Sequence, residues 1–189
     1  MTQRIQRDRK RRPEGVLALG FLAVIVLGTI LLSLPAAARA GRSIGLFDSL
    51  FTATSAVCVT GLVAVDTGTT FSAFGQGVLL MLIQVGGLGF MVFATTIMTM
   101  LGRRISLKGR MLIRESMNSG SLYNLGGLTK LYLLLSLGIE LLGAALLSLR
   151  FIPLYGVGRG IWMSVFHSVS AFCNAGFDLF GRFSSLTGF

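Results

Sequence analysis

Two cysteines, a histidine and two glycines stand in a stretch of this chain that is written twice. Leu50-Phe51-Thr52-Ala53-Thr54-Ser55-Ala56-Val57-Cys58-Val59-Thr60-Gly61-Leu62 returns as Val165-Phe166-His167-Ser168-Val169-Ser170-Ala171-Phe172-Cys173-Asn174-Ala175-Gly176-Phe177, with Phe, Ser, Ala, Cys and Gly in register at a constant offset. Thiols near His167 and Asp178 could serve as nucleophile, base and orienting group of a membrane enzyme. The symmetry speaks against it, because an active site rarely needs one nucleophile at two equivalent positions. Cys58, Cys173 and His167 also fall short of the four ligands of a structural zinc site. A Cys58–Cys173 bridge would need Cα atoms within about 7 Å and would close whatever lies between the two loops.

The repeated glycine suggests a different chemistry. A cation gives up its hydration shell when oxygens replace it, and backbone carbonyls do this without adding fixed charge. Glycine reaches dihedrals closed to other residues, so Gly61 and Gly176 would let successive carbonyls point toward one axis. The slender neighbours Thr60 and Ala175 help such loops crowd together. A short helix before each loop would aim its partly negative C-terminal end into the same space.

These loops need elements to carry them. With 53% hydrophobic and 13% charged residues, and a mean hydropathy of +0.78, the chain falls outside ordinary soluble composition. The apolar run 16–34 would span about 28 Å as a helix, close to a hydrocarbon core of about 30 Å. A basic start followed by Ala38-Arg39-Ala40 imitates a secretory signal, but the run exceeds the 7 to 15 residues of a signal core. Residues 47–57 predict a helix of about three turns, too short to cross, with 59–62 as a returning strand. Irregular backbone at that depth requires surrounding protein or water. A long helix is expected over 71–101, its Gln84-Val85-Gly86-Gly87-Leu88-Gly89 reading as a packing seam ahead of a hinge. A third span is expected at 130–151, an outer connection at 153–160 and a second short helix at 161–172.

Charge sets the orientation. Residues 1–15 hold six basic side chains against Asp8 and Glu14, and 102–130 hold six against Glu115. In 35–71, by contrast, Arg39 and Arg42 are balanced by Asp48 and Asp66. Positive-inside logic puts the amino terminus and the 102–129 connection in the cytoplasm and the first loop outside. The net charge of +10 gathers at the ends of apolar runs, which argues against a nucleic-acid partner and for contact with membrane lipid head groups.

The chain resembles the Ktr/Trk/HKT superfamily of potassium transporters, and its KtrB-type membrane subunits most closely. The resemblance is carried by Thr54-Ser55-Ala56-Val57 with Val59-Thr60-Gly61-Leu62, by Gln84-Val85-Gly86-Gly87-Leu88-Gly89, and by Ser170-Ala171-Phe172-Cys173-Asn174-Ala175-Gly176-Phe177-Asp178. It implies an all-α membrane protein of repeated helix/pore-loop/helix units, like those of K⁺ channels, with about two of four repeats present. The expected divisions are a basic cytoplasmic amino terminus at 1–15, a first unit at 16–101, a cytoplasmic connection at 102–129 and a second unit at 130–189 that stops after its pore loop. The expected activity is K⁺ uptake across the cell membrane, as the amino-terminal half of a larger subunit. Carried over residue by residue, Val59, Thr60, Gly61, Asn174, Ala175 and Gly176 would form the filter backbone. K⁺ is the implied ion, with Na⁺ as a second candidate and no organic cofactor. The implied partners are a second copy of the full-length subunit and a cytosolic nucleotide-binding regulatory subunit of the KtrA/TrkA type. Cys58 and Cys173 depart from the polar or small residues expected at their positions.

Three further features invite two readings each. Glu140 interrupts the third span, as a gating or coupling acid or as a structural acid that is protonated or paired with a basic residue in the expected second half of the subunit. His167 is a pH sensor or a residue hydrogen-bonded behind the filter. Asp66 and Asp178, just past the loops, concentrate cations at the outer mouth or are solvated rim charges. A non-transporting scaffold subunit is the remaining rival.

Overall fold

The computed structural model describes residues 13–89 and 125–182. The amino-terminal stretch 1–12, nearly all of the expected 102–129 connection and residues 183–189 lie outside the described residues.

Two helical groups make up the described chain. In the first, α1 (Pro13–Ser33) leads through a 3-10 turn (Pro35–Ala37) to α2 (Leu46–Cys58), then a single turn α3 (Thr67–Thr70) and α4 (Ala73–Leu88). In the second, α5 (Leu125–Tyr155) is followed by α6 (Val157–Phe172). Among the described residues there are no strands, only an isolated bridge between Ala38 and Phe71.

The helices start and stop for local reasons. Ser72 caps α4, its Oγ accepting from the Gly75 N–H at 3.2 Å while donating to the Ala36 carbonyl at 2.6 Å. The long helix expected over 71–101 is helical only to Leu88 among the described residues. Gly89, with φ of 84°, turns the chain out of the helix, and its N–H closes onto the Gly86 carbonyl. The remainder of that expectation lies outside the described residues.

Two other expectations are corrected. The outer connection at 153–160 is almost absent, because α5 continues through Pro153 to Tyr155 and only Gly156 separates it from α6. Gly156 (φ 80°) makes the break, its N–H bonding the Ile152 carbonyl at 2.9 Å. Residues 59–62 form no strand, since the amides of Val59 and Thr60 bond back onto α2 and no extended neighbour pairs with them among the described residues.

One core unites the two groups. α1 packs on α2 and α4, α2 packs on α4, α4 also meets α6, and α5 runs along α6. Leu32, Ala53, Val57, Leu79 and Ile83 from the first group join Met163, Phe166, Ala175 and Phe177 from the second in one buried cluster. The outer faces are also apolar: Leu141 is 68% and Leu149 75% exposed on α5. Lys130–Tyr155 is long and apolar enough to cross a membrane, and α1 adds the shorter apolar stretch Leu17–Ser33. Helices that are apolar on the outside as well as the inside suit a lipid surrounding.

Candidate functional site: two matched loops

The two repeated segments end their helices in the same way. After α2 the chain enters the left-handed region at Val59 (φ 55°), whose N–H bonds the Ala56 carbonyl at 3.4 Å, and the Thr60 N–H bonds the Ser55 carbonyl at 3.0 Å. After α6 the left-handed residue is Asn174 (φ 56°), its N–H bonding the Ala171 carbonyl at 3.0 Å, and the Ala175 N–H bonds the Ser170 carbonyl at 2.7 Å. Both are Schellman closures. Two residues later each loop reaches its glycine, with φ of 72° at Gly61 and 71° at Gly176.

The loops meet at those glycines. A Cβ added to Gly61 would lie 3.0 Å from the Ala175 carbonyl oxygen and 3.3 Å from the Gly176 Cα, and one added to Gly176 would lie 3.1 Å from the Gly61 Cα. The fold thus brings together the two loop segments that sequence reasoning assigned to the ion path.

The match is not complete. Ser55 Oγ pairs with Thr60 Oγ1 at 2.9 Å, whereas Ser170 Oγ donates to the Phe177 carbonyl at 2.7 Å. Thr60 is exposed and its counterpart Ala175 is buried. His167 donates from Nδ1 to the Met163 carbonyl at 2.7 Å and accepts the Leu179 N–H at Nε2, 3.2 Å away, fastening the chain beyond the second loop to α6. Its counterpart Thr52 keeps a buried hydroxyl with no hydrogen-bond partner among the described residues. With both ring nitrogens engaged by backbone, His167 has no thiol to activate, and Cys58 and Cys173 are free cysteines.

The two rim acids are tied into turns. Asp66 caps α3, its Oδ1 accepting from the Thr69 N–H at 2.8 Å and from Thr69 Oγ1 at 2.7 Å. Asp178 Oδ1 accepts the Phe180 N–H at 3.0 Å.

Glu140, 5% exposed in the middle of α5, receives Gln84 Nε2 at 2.9 and 3.0 Å on its two carboxylate oxygens. Its partner within the described chain is therefore an amide on α4. Its backbone carbonyl accepts from Ser168 Oγ at 2.6 Å, which fixes α5 to α6. The other end of Gln84 reaches the second loop, where Cys173 Sγ lies 3.8 Å from Oε1. Gln84 is the residue whose role sequence reasoning missed. The signal it carried was an uncharged polar side chain in an apolar helix, to be matched with a lone acid in another.

The seam on α4 is formed by two glycines. A Cβ at Gly86 would collide with the Val57 backbone carbonyl, and one at Gly87 with Cys173. The ends of both short helices thus rest on α4, which accounts for the packing reading of this motif.

A family model described as TrkH, cation transport protein, matches residues 3–189. The chain is 49% identical over 167 residues to the Ktr system potassium uptake protein B of Bacillus subtilis (strain 168), covering 88% of this chain and 37% of that protein. It is 43% identical over 185 residues to the potassium/sodium uptake protein NtpJ of Enterococcus hirae, covering 96% and 40%. To the Ktr system potassium uptake protein B of Vibrio alginolyticus it is 41% identical over 176 residues, covering 93% and 38%. The chain spans about two fifths of the length of these curated relatives.

Proposed function

This chain belongs to the TrkH family of cation transport proteins, membrane proteins and not enzymes, and from that premise we propose that it contributes half of a K⁺-uptake path across the cell membrane. The observation that carries the reading is the contact between Gly61 and Gly176, at the ends of two loops closed by the same hydrogen bonds. Backbone oxygens of Val59, Thr60, Gly61, Asn174, Ala175 and Gly176 replace the hydration shell of the ion, and α2 and α6 aim their C-terminal ends toward it. Each loop is a pore loop that enters the membrane and returns, in a ring of four of which this chain supplies two. Relatives named for potassium and for potassium/sodium uptake support K⁺ as the ion, with Na⁺ as a second one.

The basic amino terminus and the 102–129 connection face the cytoplasm, and the loops open outward. Asp66 and Asp178 add negative potential at the outer mouth while serving their turns. The full-length subunit pairs with a second copy and carries a cytosolic nucleotide-binding regulatory subunit, in keeping with relatives named as parts of a Ktr system.

Expression of the full-length gene in a bacterium lacking its own K⁺ uptake systems tests the reading. Growth on limiting K⁺ is expected, and Gly61→Ser or Gly176→Ser should raise the K⁺ concentration needed while leaving membrane levels intact. Failure of the wild-type gene to restore growth, with normal membrane insertion, would remove the proposal.

A further inference from the structure

Gln84 uses both ends of its amide, and the two ends touch different parts of the molecule. Nε2 donates to both Glu140 oxygens on α5, and Oε1 lies 3.8 Å from Cys173 Sγ, at the entrance to the second loop. This sense is dictated by chemistry, because a carboxylate only accepts and a thiol can donate. Gln84 and Glu140 sit at the wall of a crevice of about 230 Å³ whose other lining is largely apolar, including Leu80, Met81, Leu137 and Leu141. Polar links in such surroundings are stronger than in water and costly to leave unmade. Further along α4, Gly87 leaves room for Cys173 to lie against the helix. Cys173 thus lies against one face of α4, beside Gly87 and within polar contact of Gln84, just ahead of Gly176.

We propose that Gln84 is a positioning residue for the loop 173–177, anchored by Glu140 and setting through Cys173 the placement of the Ala175 and Gly176 backbone against Gly61. The role rests on the ion path proposed above and assigns Glu140 the task of orienting Gln84, with no direct contact to the ion. The first loop is held differently: its serine–threonine pair, Ser55 with Thr60, closes it internally.

The test is K⁺ uptake kinetics, with Na⁺ competition, in the full-length protein. Gln84→Glu sets two carboxyl groups against each other and should raise KM for K⁺ by about tenfold, the scale of one hydrogen bond to a charged group. K⁺ over Na⁺ preference should fall with it, while the maximal rate per assembled protein changes little. Gln84→Glu combined with Glu140→Gln exchanges the two partners, since a carboxylate on α4 can accept both from an amide on α5 and from the Cys173 thiol, and should recover KM and preference. A purely structural role would lower protein level or maximal rate and leave KM and preference in place, which would overturn the proposal, as would a double variant no better than the single one. Should Gln84→Glu not reach the membrane, Cys173→Ala probes the other end. A changed KM and ion preference supports the link, and unchanged values overturn it. Absence of K⁺ uptake by the wild type would instead refute the proposed function, so the two failures are distinguishable.

Discussion

Gly61 and Gly176 face each other across the join of the two repeats, each so close that a side chain on either would press against the other's Cα. Both lie at φ near 70°, where an L side chain is also strained by its own backbone. Gly61→Ala and Gly176→Ala are therefore expected to destabilise the loop by about 1–2 kcal/mol from backbone strain alone. K⁺ uptake assays, normalised to protein in the membrane, should register a loss greater than that of any Ala substitution on the outer face of α5.

Val59 and Asn174 occupy the same left-handed position with unequal ease. A β-branched residue there is an outlier, whereas Asn is a common occupant. Val59→Asn should leave the melting temperature in detergent unchanged or raise it, the relief of strain offsetting the apolar contact Val59 makes with the core. Asn174→Val should lower stability by about 1 kcal/mol.

Gly86 and Gly77 lie on the same helix and should respond in opposite ways. A Cβ at Gly86 meets the backbone of Val57, which cannot move aside as a side chain would, while Gly77 has open space. Gly86→Ala is predicted to separate α2 from α4 and to reduce both assembled protein and uptake. Gly77→Ala should be neutral or stabilising by up to about 1 kcal/mol, the helix propensity difference. Size-exclusion profiles and thermal unfolding of the two variants provide the comparison.

Removal of the Glu140 carboxyl leaves the Gln84 amide without its acceptor. Glu140→Ala should destabilise by about 1–3 kcal/mol through the unsatisfied group, and Glu140→Gln by less because its carbonyl still accepts. Thermal unfolding in detergent separates these two, and equal losses would show that the hydrogen bond is not the source.

Much of this architecture is legible along the chain because its causes are local. The apolar runs mark α1 and α5, and the duplicated segment marks α2 and α6. The ends of the short helices follow from residues adjacent in sequence, since a Schellman closure uses only carbonyls from the preceding turn. The end of α4 at Leu88 is harder to read, because the apolar pattern runs on past Gly89 and only its φ of 84° stops the helix. The continuation of α5 through Pro153 escapes a sequence reading because proline with nearby glycines normally signals a loop.

By itself, then, the sequence determined a membrane-suited composition, two matched loops and the glycine at the centre of each, because hydropathy and turn closure are properties of neighbouring residues. Tertiary structure decided that the two glycines touch, that the acid in α5 is met by an amide from α4, and that this amide also reaches the second loop. The contacts of Gln84 join residues 56 and 89 positions apart. They exist only once helix crossing points and side-chain directions are set by packing, which no local pattern encodes.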